Sequence, residues 1–560
     1  MITTFKKIML AAIVLAGISC TKLEENVLDE SSIQGQTDKQ IADGLIAPVY
    51  ARLPDIYRHT TLFALSEIST DEAILPYRGG TDWGDNGIYI SLHRHETTST
   101  DPNVRDTWTF VTQSISRSVI ALSALPENKD VNAKVYLAEA KAMRAFYNML
   151  ALDLWGISFV KEKPDDISQI IRGNEAVEYI AKELIAAEPN LESNVGAGRV
   201  SKAAAWGLLA RLYLNAAVYR DPYGTPQFKT EDLDKVNDYT TRIINSGTYQ
   251  LVADYFSIFS DNNNTNRELV FAVDQRFDLN GHNRLAYFSL SGDQFPLPAF
   301  PGANGTDGPG ITPDFYRTWV NAYSGDPAGK DPRFYKKNLV VPTNGADTCY
   351  RDVDFKIDRG ILRGQQFGLI RQSGAFVKCP DGRFRVGKLF NVTRSRPTLP
   401  VDFTETINFT TAGSDYNTGF RVEKYEFSAK SASGRNFGEA DISIVRMADV
   451  YLMRAEAKLR KGDQSGALTD INAIRTARTA YGFTAPALTA ITNDILLRER
   501  GFELYWEFQR RTDLIRFGKY EDSWTEKNNT DKNKRLFPIP QTAIDGASNL
   551  AGYLKQNQGY

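Results

Sequence analysis

Arg446-Met447-Ala448-Asp449-Val450-Tyr451-Leu452-Met453-Arg454-Ala455-Glu456-Ala457, followed a turn later by Asp470-Ile471-Asn472-Ala473-Ile474-Arg475, is the stretch that decides the fold. Its spacing predicts a helix over Val445–Lys461, with Met447, Val450, Tyr451, Ala455 and Leu459 available for packing. Gly462-Asp463-Gln464 is a turn signal, and a second helix is predicted over Ser465–Ala477 with Ser465 as its N-cap. Helices joined by so short a turn pack antiparallel. Ala455, Gly462 and Ala467 fall at tetratricopeptide-like (TPR-like) spacing. A third helix is expected from Asn493 to Arg516. A TPR-like pair cannot bury its apolar face alone, so its partners lie elsewhere in the chain.

Those partners are found upstream. Residues 37–247 are helical in pattern, most clearly Val131–Trp155, where Ala138, Ala142, Ala145, Phe146, Met149 and Leu150 make one stripe and Gly156 supplies a stop. Ala203–Ala217 repeats the style with Leu208, Leu209, Leu212 and Ala216. Between the helical zones, residues 248–440 change texture: Gly, Pro, Asn and Asp punctuate short apolar runs such as Glu268–Val273. The expected architecture is mainly α. TPR-like helical pairs from 37–247 and 441–517 form one α-helical body, an irregular loop-rich lobe with short strands spans 248–440, and a C-terminal segment covers 518–560. Length alone would suggest three or four domains; the shared burial of the two helical zones argues for one domain over 37–560.

The first residues indicate a compartment. Lys6 and Lys7 precede an apolar run, Ile8–Gly17, that is too short to span a bilayer and has the form of an export signal over residues 1–19. Cys20 is placed to be the first mature residue and to carry acyl chains, which hold a protein on a membrane firmly when two or more are present. Gly17-Ile18-Ser19-Cys20 departs from the usual bacterial lipobox, which prefers Leu where Gly17 stands; ordinary cleavage near Ala16–Ser19 is the alternative. Residues 20–36 form a tether. A formal net charge of −2 speaks against nucleic acid as a partner. Besides Cys20 the chain has only Cys349 and Cys379, which an oxidising compartment would allow to bridge.

Two constellations invite a catalytic reading. Glu499, Arg500, Glu503, Glu507, Arg510, Arg511, Asp513 and Arg516 are crowded together, and Glu503 and Glu507 share a helix face. As a carboxylate pair they would suit glycoside hydrolysis. The interleaved arginines would depress their pKa values, which is wrong for a general acid, and favour a structural ion-pair network. His93 and His95 would share one face of a strand with Glu96 opposite, but no third ligand is evident, so no metal is expected. No cofactor motif is present; Gly325–Lys330 resembles a phosphate loop only faintly and is interrupted by Pro327.

The order of the sequence blocks carries a resemblance. Ala138–Tyr147, Gly198–Ala205, Arg446–Ala457 with Asp470–Arg475, Glu499-Arg500, Glu503-Leu504, Arg510, Asp513–Arg516, Leu536–Pro540 and Gln556–Tyr560 together resemble the SusD/RagB family of Bacteroidetes outer-membrane nutrient-binding lipoproteins. Gln509 departs from the Gly that many members carry before the Arg. The resemblance implies four TPR-like helix pairs and a non-enzymatic role: capturing oligosaccharides or polysaccharides and delivering them to a SusC-like TonB-dependent transporter. It implies a lipid anchor in the outer membrane, and Glu24-Glu25 after Cys20 resembles the family's signal for exposure to the exterior. Peptide import, as some relatives serve, or a lipid-anchored glycoside hydrolase are the alternatives.

A sugar offers an apolar C–H face and a polar rim, so an aromatic plate flanked by Asp, Asn or Arg can hold it. The glycine-rich stretch Asp71–Tyr89 provides Trp83 with Arg78, Asp82 and Asn86. In related proteins glycan contacts often come from this segment, so the resemblance assigns ligand binding to Trp83 and Arg78; the alternative, that Trp83 packs under the loop as a local core, is slightly favoured. Tyr287 and Phe288, with Phe295 and Phe300, form a second aromatic candidate cluster in the lobe, though burial is the favoured reading for each of them taken singly.

Overall fold

The structure, a computed structural model, describes residues 35–560 apart from 80–86, 277, 279–282, 295–297, 299–304, 411–413 and 428–437. Cys20, the Glu24-Glu25 pair, Trp83, Asp82, Asn86, His282, Phe295 and Phe300 lie outside the described residues.

Six long helices build the first part of the body: α1 (Asp38–Tyr50), α2 (Pro102–Ala124), α3 (Ala133–Trp155), α4 (Gly173–Ala187), α5 (Lys202–Tyr219) and α6 (Thr230–Asn245). Local chemistry sets their starts. Thr37 and Gln40 form a reciprocal capping box on α1, Asp101 accepts the N–H groups of Asn103 and Val104 ahead of Pro102, and Ser201 accepts that of Ala204. Gly156 ends α3 in the left-handed conformation (φ 68°). Each helix packs on the next, and α3 also on α1.

The predicted TPR-like pair is present as α7 (Met447–Arg460) and α8 (Gln464–Ala477), packed through Ala448, Leu452, Ala455, Ala467, Ile471 and Ile474. Its N-cap is Asp463, not Ser465: the Asp463 carboxylate accepts the Gly466 N–H at 2.8 Å. Helix α7 packs on α6, so the stack resumes where it stopped about two hundred residues earlier.

The intervening lobe leaves and re-enters the stack through one antiparallel pair, β1 (Leu269–Val273) and β2 (Ile442–Arg446), in the register Val273↔Ile442 and Leu269↔Arg446. Every residue of both strands is buried. Gly207 on α5 permits the close approach of this ribbon; a Cβ there would lie 2.7 Å from Val445. The rest of the lobe is short strands in two- and three-stranded sheets. One contiguous apolar cluster runs from Ala42 through Phe271, Ile361 and Leu389 to Ile539, joining helices and lobe. Cys349 and Cys379 are linked by a disulfide within the lobe.

The predicted third helix is two: α9 (Asn493–Leu504) and α10 (Arg510–Arg516). Between them Trp506 and Phe508 both adopt φ 64°. No helix among the described residues is long and apolar enough to cross a membrane.

Candidate functional site

Helix α9 turns its carboxylates inward. Glu503 accepts from Arg446 (2.8 Å), Arg478 (2.7 Å) and Arg333 (3.3 Å). Glu499 accepts from Arg475 (2.7 Å) and Arg333 (3.1 Å), and Glu507 from Arg446 and Lys424 at 2.6 Å each. All three are buried. Burial alone would raise the Glu503 carboxyl, yet the Arg478, Arg446 and Arg333 guanidinium groups hold it well below the usual carboxylate range. A glycosidase acid needs the opposite shift. Further out, Arg500 bonds Asp513, Arg516 bonds Glu456 and Asp513, and Arg510 grips both oxygens of Asp71 at 2.7 Å. The array is an interior ion-pair network, and Glu503 and Glu507 have no access to a substrate.

His93 closes a helix, Ile88–His93, and His95 has φ 58°, so the shared strand face expected for them is absent. Both are buried on main-chain carbonyls: His93 on Ile68, Ala73 and Thr525, and His95 on Ser69. Among the described residues the one grouping with metal-ligand proximity is Cys349, Cys379 and Asp381, and its two thiols are consumed in the disulfide.

The lobe aromatics are corrected as well. Tyr287 and Phe288 are fully buried, Phe288 against His59 and Phe63 and Tyr287 against Phe427, so neither offers an open ring face. Arg78 is also buried, and its role changes with that. Its guanidinium donates to the carbonyls of Asp307 (2.9 Å), Gly308 (2.7 Å) and Thr418 (2.7 Å). It therefore fastens residues 78–79 to two other segments of the lobe.

What Arg78 brings to the surface is Tyr416. Gly79 (φ 65°) lies directly against this ring: a Cβ there would come within 2.6 Å of the phenol oxygen. Tyr416 is half-buried and sits in the turn 415–418, closed by the Thr418 N–H on the Asp415 carbonyl. The hairpin pairing Phe390–Asn391 with Arg396–Pro400 turns through Ser395 (φ 57°) and sets two guanidinium groups beside the ring. Arg394 is 5.4 Å and Arg396 5.5 Å from its centroid, within cation–π range. Arg394 Nε donates to Asp307 (2.7 Å) and Arg396 Nη1 to Asp415 (2.8 Å). Phe390 and Val392 remain exposed on the same hairpin. This is a half-buried aromatic plate with two guanidinium groups packed against it, adjoining Gly79. Asp415-Tyr416-Asn417-Thr418-Gly419 has the same aromatic-among-turn-residues composition that drew attention to Trp83, and that signal could have found it.

A separate open groove of about 810 Å³ lies between the C-terminal end of α1, the loop 195–199 and the segment 274–278. Asp441 lines it, its carboxyl pushed up to about 7 mainly by burial, with Asp274 adding repulsion.

Residues 404–560 match the family model described as the SusD family. The starch-binding protein SusD of Bacteroides thetaiotaomicron is 26% identical over 526 residues, covering 90% of this chain and 86% of that protein. Among solved structures, a SusD superfamily protein from Parabacteroides distasonis superposes with TM-score 0.66 at 19% identity, over 94% of this chain and all of that one. Surface glycan-binding protein A from Bacteroides thetaiotaomicron, in complex with laminarihexaose, superposes with TM-score 0.62 at 20% identity, over 93% of this chain and all of that one. The fold is that of the SusD-like helical proteins. The resemblance to the SusD/RagB family seen in its ordered blocks is thus matched by a family model, a curated relative and the fold.

Proposed function

We propose that this protein is a surface lipoprotein that binds oligosaccharides and passes them unaltered to a SusC-like TonB-dependent transporter in the outer membrane. The observation that carries the reading is the Tyr416 plate, edged by Arg394 and Arg396 and adjoining Gly79. A half-exposed ring with charged hydrogen-bonding groups packed against it suits a pyranose. The burial and ion pairing of Glu499, Glu503 and Glu507 support a role without bond cleavage. The relatives that carry starch or glycan binding in their names support the ligand class. Trp83, with Asp82 and Asn86, completes the contact surface, and acylated Cys20 holds the chain on the membrane.

Isothermal titration against a panel of oligosaccharides and peptides tests the reading, with the sugars analysed afterwards. Binding of at least one oligosaccharide, its recovery intact, and weakened affinity in Trp83→Ala are the expected results. Shortened sugars after incubation, or binding confined to peptides, would overturn it. For the anchor, Cys20→Ala should move the protein from the membrane fraction to the soluble one.

A further inference from the structure

We propose that Tyr416 and Arg394 form a subsite for an acidic sugar residue, one bearing a carboxylate or a sulfate. The proposal rests on the glycan-binding reading above and adds the class of sugar. It follows from which hydrogen-bonding groups around the plate are already engaged. Asp415 is engaged through both oxygens: Oδ1 accepts the Tyr416 N–H (2.7 Å) and Arg396 (3.0 Å), and Oδ2 accepts Arg396 (2.8 Å). Asp307 is fully buried and its Oδ2 accepts Arg394 Nε. The second terminal nitrogen of Arg396 is held by the Gly79 carbonyl at 3.3 Å.

Arg394 differs. Only its Nε is engaged, its terminal amino groups make no hydrogen bond among the described residues, and its side chain is 31% exposed. The Asp307 Oδ1 has no partner but is sealed from solvent, and Asp415 is engaged by Arg396, so the open valences that a ligand can reach at Arg394 are donors on a cation. A neutral sugar hydroxyl calls for donors and acceptors in alternation. A carboxylate or sulfate is acceptor-only, and the planar guanidinium fork matches it in two-point geometry.

A second charge reinforces the choice. Arg421 is fully buried beneath the turn, where its guanidinium donates to the carbonyls of Tyr416 (3.0 Å) and Gly419 (2.7 Å). Those acceptors are neutral, so its positive charge adds to the potential above the plate. A pyranose lying on Tyr416 with its acidic group over Arg394 meets an apolar face, a donor pair and a favourable field together.

The test is calorimetry on the mature protein with four hexasaccharides: hexagalacturonate, a chondroitin sulfate hexasaccharide, maltohexaose and laminarihexaose. An acidic probe should bind at least about tenfold more tightly than either neutral one, with an affinity that falls as sodium chloride is raised. Tight hexagalacturonate binding assigns a carboxylate, and a preference for chondroitin sulfate assigns a sulfate. Arg394→Gln should lose about tenfold or more toward the acidic probe and little toward the neutral ones, with Arg394→Lys intermediate, because an ammonium keeps the charge without the fork. Asp307→Asn combined with Arg394→Gln removes both partners of the buried pair and should show the same loss in a folded protein. Equal affinity for acidic and neutral probes, or undiminished acidic binding in these variants, would overturn the subsite and leave glycan binding standing. Failure of all four probes to bind would overturn both.

Discussion

Arg446 and Glu503 meet at 2.8 Å, both side chains sealed from solvent. Arg446 is the last residue of β2, where the lobe returns to the helical stack, and Glu503 belongs to α9, which caps that stack. Arg446 also reaches Glu268, immediately before β1, and Glu507, in the turn that follows α9. The cation thus ties together the entry strand, the exit strand and the helix that covers them. Sequence neighbours supply none of these carboxylates, so the pairing forms only when the lobe has closed on its base.

Arg446→Met tests that relationship. It leaves Glu268, Glu503 and Glu507 sharing fewer cations in the interior, and stranded buried charges are costly. Stability in urea should fall by about 3–5 kcal/mol, the range for breaking a buried pair from one side. A loss below about 1 kcal/mol would show that Arg478 and Lys424 suffice without it.

A second buried acidic pair should give stability the opposite pH dependence. Glu72 accepts the Trp506 N–H (2.7 Å) and Glu67 the Gln509 N–H (2.9 Å), which pins the turn between α9 and α10. Burial pushes the Glu72 carboxyl from its ordinary 4.5 up to about 7, against the pull of the Trp506 N–H and Arg510. Burial, and then the charge of Glu72, push Glu67 well above its ordinary range. A group that holds its proton more tightly when folded contributes stability fully below its unfolded pKa and loses it as pH rises through the folded one. For Glu72 that window is about 4.5 to 7. Glu456 and Glu503 act in reverse: burial would raise them, but arginines hold them low, so their contribution disappears on acidification. Glu72→Gln keeps an acceptor for Trp506 and removes the titration. Its melting temperature should therefore vary less between pH 5 and 7 than that of the unaltered protein, and an unchanged profile would place the titration elsewhere.

The same turn shows where sequence reading stopped. The helices α3, α5, α7 and α8 were legible because their apolar residues recur at helical spacing and Gly156 or Gly462 marks an end. Tyr505-Trp506-Glu507-Phe508 contains no Gly or Pro, and a break there was invisible. It is imposed from outside, by Glu67 and Glu72 capturing main-chain N–H groups and by Phe63 packing on Trp506 and Phe508. Two aromatic residues in the left-handed region are strained locally and held by tertiary contacts. Tyr416 escaped for a different reason. Its surroundings come from residues 78–79, 307, 394–396 and 415–418, brought together by hydrogen bonds from Arg78 that no local pattern announces. For Tyr287 and Phe288 the sequence left binding and burial both open, because an aromatic in a loop-rich stretch looks the same whether it faces solvent or core; both are buried.

The Cys349–Cys379 bridge joins positions 30 residues apart in the lobe, far from the interior ion pairs. Closing such a loop contributes roughly 3 kcal/mol in the chain-entropy picture. Cys349→Ser with Cys379→Ser should speed hydrogen exchange and proteolytic cleavage between residues 340 and 388 while leaving α2–α8 as protected as before. Equal loss of protection in the helices would mean that the lobe and the stack unfold as one unit.

Gly79 and Gly87 bracket the Trp83 loop and allow backbone strain to be separated from displacement of the Tyr416 plate. Both have positive φ, 65° and 74°, so an alanine at either should cost on the order of 1 kcal/mol from the left-handed conformation. Their surroundings differ. A Cβ on Gly79 would strike the Tyr416 ring, whereas a Cβ on Gly87 meets nothing within 4 Å. Gly79→Ala must therefore push the phenol from its place between Arg394 and Arg396, and Gly87→Ala need not. The two variants should melt at similar temperatures, with oligosaccharide affinity reduced about tenfold or more in Gly79→Ala and nearly kept in Gly87→Ala, since misplacing a stacking ring removes its contact with the sugar. Equal affinities for the two variants, measured by titration with the oligosaccharide the unaltered protein binds most tightly, would mean that Tyr416 does not touch the ligand.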